Sequence, residues 1–213
     1  RLGIKVERPS INRSGVDFDV ADGAIRYALG AIKGVGRVAV ESIVAARAKA
    51  GPFRDLADFA RRTDTRLVNR RTIEALISAG TLDEIEPERA KAMAAVDGML
   101  ALSNRTREAA EGGQSELFGG GGVAEAFRIP PFEPWAPAER LQREHEAVGL
   151  FLSGHPLDEY EHVLKRLRVQ SYADFARNVR ASGTSIAKVA ASVIDRSERR
   201  TKSGNKMGIV QLS

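Results

Sequence analysis

A glycine turn between two predicted helices carries the clearest chemical signal in the chain. Gly34, Val35 and Gly36 follow one another, and neither glycine has a Cβ that would keep the backbone away from a ligand. The helix that begins after this turn presents unpaired N–H groups and the positive end of its dipole, which suit a phosphate. Lys33 and Arg37 add positive charge on either side. The sequence therefore predicts a phosphate-binding turn here.

This arrangement is typical of a helix-hairpin-helix module, which holds the nucleic-acid backbone without reading the bases. It does not match the G-x-G-x-x-G fingerprint of dinucleotide-binding proteins, because Ala39 stands where the third glycine would be and no buried parallel strand precedes it. Taken alone, the three residues fit an ordinary glycine turn between packed helices equally well.

The segment Gln114-Ser115-Glu116-Leu117-Phe118 is the second informative feature. Glycine-rich stretches on both sides predict a flexible linker, so the two apolar side chains have no local core to enter. An exposed apolar pair beside a glutamine is typical of a docking peptide that anchors in a partner's pocket. The alternative is that Leu117 and Phe118 fold back onto their own domain.

A basic segment near the end of the chain is the third feature, Arg199-Arg200-Thr201-Lys202-Ser203-Gly204-Asn205-Lys206. It lies between two apolar, β-branched runs, Ile186–Ile194 and Met207–Leu212, which predict a pair of strands. A two-stranded hairpin is marginal by itself in water, so we expect the rest of its sheet to lie outside this chain.

Other chemistry has little support in the composition. The 213 residues include three His and no Cys. The absence of Cys excludes disulfides, thiolate metal sites and cysteine nucleophiles. We find no nucleophile paired with a base, no metal-ligand cluster and no P-loop. No apolar run reaches the length of a membrane span and no signal segment opens the chain, which starts at Arg1. We expect a soluble, cytoplasmic piece of a longer chain with no membrane partner.

The elements that position these features are mainly helices. Residues 14–29 predict a β-hairpin, because alternating apolar residues flank Asp22-Gly23. One helix is expected to end at Gly51, and a short one to contain Leu56 and Phe59. Two more are expected to run from Asn69 to Gly80 and from Pro87 to Ala110. Three further helices are expected over residues 138–148, 157–167 and 171–179. The predicted fold class is mainly α with small β elements.

Charge is distributed in three blocks. Residues 1–80 carry 15 Lys and Arg against 9 Asp and Glu, residues 81–160 carry 7 against 15, and residues 161–213 carry 11 against 4. Basic segments favour phosphate backbones through counterion release. The alternative is that these cations only solvate helix faces.

Ten short segments, spread over most of the chain, match one family of proteins. They are Pro9–Ser14, Leu29–Gly36, Gly51–Phe53, Asp58–Phe59, Asn69–Arg71, Leu76–Gly80, Gln114–Phe118, Glu146–Leu150, Leu152–Leu157 and Thr201–Met207. Through them the chain resembles the bacterial replicative DNA polymerase III alpha subunits, which are C-family polymerases. The resemblance runs nearly end to end.

The resemblance implies a domain order. Residues 1–30 would be the end of the fingers, and residues 31–110 a tandem helix-hairpin-helix domain that binds double-stranded DNA. Its second unit, near Leu76 to Asp83, would be degenerate because Ala79-Gly80-Thr81 lacks a doubled glycine. Residues 111–137 would be a flexible linker, 138–183 a helical connector and 184–213 the start of an OB-fold.

The resemblance also implies partners and site residues. Lys33 to Arg37 would bind the backbone of duplex DNA. Gln114 to Phe118 would bind the sliding clamp (the beta subunit). Arg199, Arg200, Lys202 and Lys206 would bind single-stranded template DNA. Other subunits of the polymerase III holoenzyme are further implied partners.

The family is a DNA-directed DNA polymerase, a nucleotidyltransferase that uses Mg²⁺ in DNA replication. Its catalytic palm aspartates lie upstream of this segment, so the resemblance implies no catalytic residue, no metal site and no cofactor here. Two alternatives stay open: a stand-alone helix-hairpin-helix DNA-binding or repair scaffold, and a helical scaffold that binds no nucleic acid.

Overall fold

The computed structural model describes residues 5–111, 127–183 and 186–212. The chain divides into two compact units, one up to Ser153 and the other from Gly154 onward. The domain boundaries predicted at residues 30, 110, 137 and 183 stay predictions. Among the described helices, none is both long enough and apolar enough to span a membrane.

The first unit begins with a three-stranded sheet. β2 (Asp19–Ala21) pairs antiparallel with β3 (Ala24–Arg26), and β1 (Lys5–Glu7) pairs in parallel with β3 on its other side. Asp22 and Gly23, between β2 and β3, have φ values of 52° and 73°. This left-handed turn confirms the predicted hairpin, whereas β1 had no signal in the sequence.

Six α-helices follow among the described residues of this unit: α1 (Arg37–Ala50), α2 (Leu56–Arg62), α3 (Arg70–Ser78), α4 (Arg89–Ala94), α5 (Val96–Glu111) and α6 (Pro137–Val148). Local signals fix several of their ends. Gly51, with φ of 77°, ends α1, and the side chain of Asn69 accepts a hydrogen bond from the Thr72 N–H at 3.0 Å to cap α3. The predicted end signal at Gly51 and the predicted start signal at Asn69 are confirmed.

The single helix predicted from Pro87 to Ala110 is wrong, because it is divided into α4 and α5. At Ala95, between them, the N–H is shared between the carbonyls of Lys91 at 3.0 Å and Ala92 at 3.2 Å. Pro87 also precedes Glu88, the N-cap of α4, so it lies outside the helix. The helices of this unit enclose one apolar core that includes Ile43, Phe59, Leu76, Ile77 and Met99.

The described residues of the second unit form a 3₁₀ turn, two α-helices and a hairpin. A 3₁₀ turn (Asp158–Tyr160) leads into α7 (Glu161–Arg166), where one continuous helix over 157–167 was predicted. Then come α8 (Tyr172–Ser182) and the antiparallel strands β4 (Val193–Arg200) and β5 (Lys206–Leu212).

The strand predicted at Ile186–Ile194 is wrong, since β4 starts at Val193 and continues to Arg200. The turn explains the shift. The Thr201 N–H donates to the Asn205 carbonyl at 2.8 Å and Gly204 adopts φ of 84°, so Arg200 faces Lys206 across the ladder. The mainly helical fold class with small β elements is confirmed, while the OB-fold assignment stays a prediction.

Candidate nucleic-acid interface

The glycine turn has the backbone geometry of a phosphate-binding loop. Gly34 has φ of 85°, a conformation that residues with a Cβ rarely adopt. Gly36 is the N-cap of α1 and offers no side chain to the N–H groups of the first helical turn. Val35 is buried and anchors the turn to the core. The start of α1 is therefore held in place with its amides available to a ligand.

The turn faces an open groove of about 600 Å³. The start of α3 and the loop before it form the opposite wall, so the amino ends of two helices meet at one groove. The lining residues are Gly34, Val35, Gly36, Val38, Ala39, Arg66, Leu67, Asn69, Arg71 and Thr72. Two helix dipoles thus direct their positive ends towards the same space.

Two arginines supply the charge in this groove. Arg71 is exposed, and its Nε lies 3.7 Å from the position that a Cβ on Gly34 would occupy. Within the described part of the chain, we find no ion pair or hydrogen bond of its guanidinium. Arg66 is paired with Asp64 at 2.7 Å and with Glu111 at 3.7 Å, so its charge is partly compensated.

The cations predicted from the sequence occupy different places. Arg37 lies beside the turn, but its guanidinium binds both carboxylate oxygens of Asp17 at 3.2 Å and Glu41 at 3.0 Å. The hydrogen bonds that Arg37 donates to Asp17 raise the pKa of Arg37. Lys33 is exposed and its N–H donates to the Ala147 carbonyl at 2.9 Å. Neither side chain is among those that line the groove.

Sequence reasoning missed Arg66 and Arg71. Asn69 was recognised as the cap of α3, and that signal could have found them, because a capped helix beginning in an Arg-rich stretch is itself a candidate phosphate site. What the sequence did not show is that α1 and α3 begin at the same groove.

The second hairpin of the predicted tandem is closed. It joins α3 to α4, and its Gly80 has φ of 76° while Thr81 is fully buried. A Cβ on Gly80 would overlap the guanidinium of Arg89, which is buried and forms ion pairs with Asp83 at 2.8 Å and Glu144 at 3.1 Å. The space beneath this turn is filled by an arginine of the protein.

The predicted clamp-binding residues, Gln114 to Phe118, lie outside the described residues. The chain on either side belongs to the first unit. Phe127 packs on α5, since a Cβ built at Gly98 would lie 2.6 Å from the Phe127 Cδ2 atom.

The basic residues near the end of the chain do not share one face. Arg199 and Arg200 are successive residues of β4, so their side chains point to opposite faces. Lys206 faces Arg200 across the ladder and pairs with Glu198 at 3.0 Å. Lys202 lies in the turn. Arg199 and Arg200 are therefore strand residues and not loop residues as predicted.

The acidic side chains of the described residues form no group of three or more that could hold a metal ion. Asp83 and Glu144 converge, but on the guanidinium of Arg89. Arg140 also pairs with Asp83 at 3.3 Å, so two arginines compensate the two carboxylates and this donor set does not fit Mg²⁺.

The chain is similar to one family model and to several curated proteins. Residues 3–92 match the family model described as a helix-hairpin-helix motif. The chain is 41% identical over 213 residues to the DNA polymerase III subunit alpha of Caulobacter vibrioides and 38% identical over 217 residues to that of Vibrio cholerae. The first alignment covers 100% of this chain and the second 99%, and each covers 18% of the relative.

The DNA polymerase III subunit alpha of Neisseria meningitidis serogroup B is 43% identical over 167 residues, which is 78% of this chain and 14% of the relative. The chain thus spans less than a fifth of the length of these curated relatives. The identity nevertheless continues well beyond the helix-hairpin-helix match. The chain belongs to the DNA polymerase III alpha-subunit family.

Proposed function

We propose that this chain is a DNA-binding part of a replicative DNA polymerase, and that its groove holds duplex DNA by the backbone. The observation that carries this proposal is the convergence of two helix amino ends, a glycine turn and two arginines on one open groove. Such a site offers N–H donors and positive charge to phosphate oxygens, and contacts of this kind position DNA without carrying sequence information. Binding is therefore independent of sequence and falls steeply with salt.

The similarity to the alpha subunits supports the replicative setting. A stand-alone helix-hairpin-helix scaffold would require similarity only over the motif, whereas the alignment to the Caulobacter vibrioides relative covers the whole chain. The polymerase reaction and its Mg²⁺ belong, in this proposal, to parts of the whole protein outside these 213 residues. The role of this chain is to hold DNA and to contact other replication subunits.

Two further contacts complete the proposal. Gln114 to Phe118 bind the sliding clamp, with Leu117 and Phe118 as anchors, which their apolar character within a glycine-rich stretch supports. The β4–β5 hairpin binds single-stranded template through Arg200, Lys202 and Lys206, which its exposed surface supports.

Charge reversal at Arg71 tests the duplex site. Arg71→Glu should weaken binding of a blunt duplex about tenfold to a hundredfold, because a hydrogen bond to a charged group contributes about 1.5–3 kcal/mol. A plot of log K against log salt should also become less steep, by about the amount that one phosphate contact contributes to the slope. Fluorescence anisotropy at several salt concentrations measures both.

Lys49→Glu is the matched control. Lys49 is exposed in the last turn of α1, so the same charge change occurs about 18 Å from the groove. That distance exceeds the Debye length of about 8–10 Å at physiological salt. Equal losses of affinity in the two variants would show that net charge matters and that the groove is not the site.

A further inference from the structure

The carboxyl end of α6 is bonded directly to the turn that contains Gly34. The Lys33 N–H donates to the Ala147 carbonyl at 2.9 Å, and the Tyr27 hydroxyl donates to the Val148 carbonyl at 2.8 Å. These two acceptors are the last carbonyls of the helix, which have no partner within it. The residue before the glycine turn is thus held by an element more than a hundred positions away in sequence.

One buried carboxylate holds this end of α6. Glu144 is fully buried, and its Oε1 accepts hydrogen bonds from the N–H groups of Leu152 and Ser153, both at 2.7 Å. Its Oε2 accepts from Arg89 at 3.1 Å. Both oxygens are occupied, so the helix, the segment after it and α4 are joined at one point.

The spacing connects the two sets of contacts. Glu144 precedes Ala147 and Val148 by three and four residues, which places all three on the same face of α6. A displacement of Glu144 therefore moves the two carbonyls that hold Lys33 and Tyr27. Gly149, in the left-handed conformation with φ of 81°, ends the helix directly after these carbonyls.

We propose that Glu144 is a positioning residue for DNA binding: through the end of α6 it fixes the turn at Gly34, although it does not itself face DNA. This inference rests on the proposed function of the groove. It makes a prediction opposite in sign to simple electrostatics. Removal of a negative charge should favour binding to a polyanion, whereas loss of a positioning contact should weaken it.

The test compares Glu144→Gln with Glu139→Gln in the full 213-residue chain. Glu139 lies on the same helix but is exposed and pairs with Arg143 at 2.9 Å, so its variant removes the same charge without touching the buried contacts. We expect the Glu144 variant to bind duplex DNA about fivefold or more weakly, and the Glu139 variant to bind unchanged or slightly more tightly.

Amide hydrogen exchange gives a readout that needs no DNA. The Lys33 N–H should exchange about tenfold faster in Glu144→Gln than in the parent, while the Ile43 N–H in the middle of α1 keeps its rate. Unchanged exchange at Lys33, or duplex affinity equal to or above that of the parent in a folded variant, overturns the inference. An equal loss of affinity in Glu139→Gln overturns it as well.

Tyr27→Phe keeps the test decisive if Glu144→Gln does not fold. This variant removes only the hydroxyl that binds the Val148 carbonyl. It should also weaken duplex binding and speed exchange at Lys33, and no change in either contradicts the role of α6. If Arg71→Glu leaves duplex binding intact, the proposed groove itself is wrong. If Arg71→Glu weakens binding and the Glu144 and Tyr27 variants do not, only the positioning role is wrong.

Discussion

Two glycines with the same backbone conformation serve different purposes. Gly34 and Gly80 have φ values of 85° and 76°. Gly34 lies at an open groove, and the nearest atom to a Cβ there, Arg71 Nε, is at an ordinary contact distance of 3.7 Å. Gly80 lies against the buried guanidinium of Arg89, which occupies the place that a side chain at residue 80 would need and forms an ion pair with Asp83. The turn at Gly34 is therefore a candidate binding site because it is open, whereas the closed turn at Gly80 has a structural role.

Gly80→Ala should destabilise the protein more than a positive φ alone explains. The left-handed conformation costs an alanine about 1–2 kcal/mol, and displacement of Arg89 from Asp83 and Glu144 adds the cost of a broken buried ion pair, about 3 kcal/mol. Gly149→Ala is the control, since Gly149 has φ of 81° and open space around it. Chemical denaturation of both variants measures the difference, and equal losses would contradict the role assigned to Gly80.

Asp58 makes stability depend on acid pH. Its side chain is nearly buried. That burial raises its pKa, but hydrogen bonds from the Arg54 N–H at 3.1 Å and the Arg62 guanidinium at 2.8 Å outweigh this and leave the pKa below its ordinary value. The stability that the carboxylate contributes is therefore present above the ordinary pKa of about 3.9 and is lost as pH falls through the lower folded value.

Asp58→Asn should lower the free energy of unfolding by about 1.5–3 kcal/mol at pH 7. The gap between the variant and the parent should narrow as the pH falls below about 4, because the parent's carboxyl group then also loses its charge. Urea denaturation at pH 7, 4 and 3 measures the gap. A gap that stays constant over this range would show that the asparagine acts through packing and not through charge.

Helix and turn ends were predictable where one residue decides them. Asn69 caps α3, Gly51 ends α1, and Asp22 and Gly23 form the tight turn between β2 and β3. Contacts distant in sequence decided the rest. β1 pairs with the edge of β3 that β2 leaves free. Neither strand has a sequence feature that predicts this order of pairing.

The candidate site was predictable only in part for the same reason. The glycine turn is local, so its sequence identifies it. The opposite wall of the groove depends on how α1 and α3 pack, which brings Arg71 next to Gly34 across 37 positions of sequence. The ion pair of Arg37 with Asp17 could not be predicted from a local pattern either, because Arg and Asp are both common on protein surfaces.

The two faces of the β4–β5 hairpin carry different basic side chains, which leads to a testable prediction. Arg200 and Lys206 are cross-strand neighbours, whereas Arg199 points to the other face. The double variant Arg200→Ala, Lys202→Ala should reduce affinity for single-stranded DNA more than Arg199→Ala, Lys202→Ala, which removes the same charge. Anisotropy titrations with an oligothymidine probe compare the two, and equal losses would remove the assignment to one face.

At the scale of the whole molecule, the charge pattern separates the expected contacts. The basic block at residues 1–80 includes the groove, and the acidic block at residues 81–160 includes Gln114 to Phe118. An acidic surrounding disfavours DNA at that segment, which leaves it free for a protein partner. In the proposed function, nucleic acid and clamp therefore bind to different parts of the sequence.

The double variant Leu117→Ala, Phe118→Ala should weaken binding to purified sliding clamp more than a hundredfold. Each buried side chain contributes about 1.5–3 kcal/mol, and a short peptide depends on a few such anchors. Val123→Ala, an apolar truncation in the same glycine-rich stretch, should leave clamp affinity unchanged. Clamp binding equal to that of the parent, or a melting temperature lowered by several degrees, would show that the pair packs within its own domain.

Amide chemical shifts on titration with duplex DNA test the central proposal most directly, because they report which backbone N–H groups meet the phosphates. In the ¹⁵N-labelled chain, the largest changes should occur at Val35 to Ala39 and at Asn69 to Thr72, the two walls of the groove. Duplexes of unrelated sequence should give the same pattern, and raised salt should reverse it. Large changes confined to residues outside these two segments would contradict the assignment of the groove as the duplex-binding site.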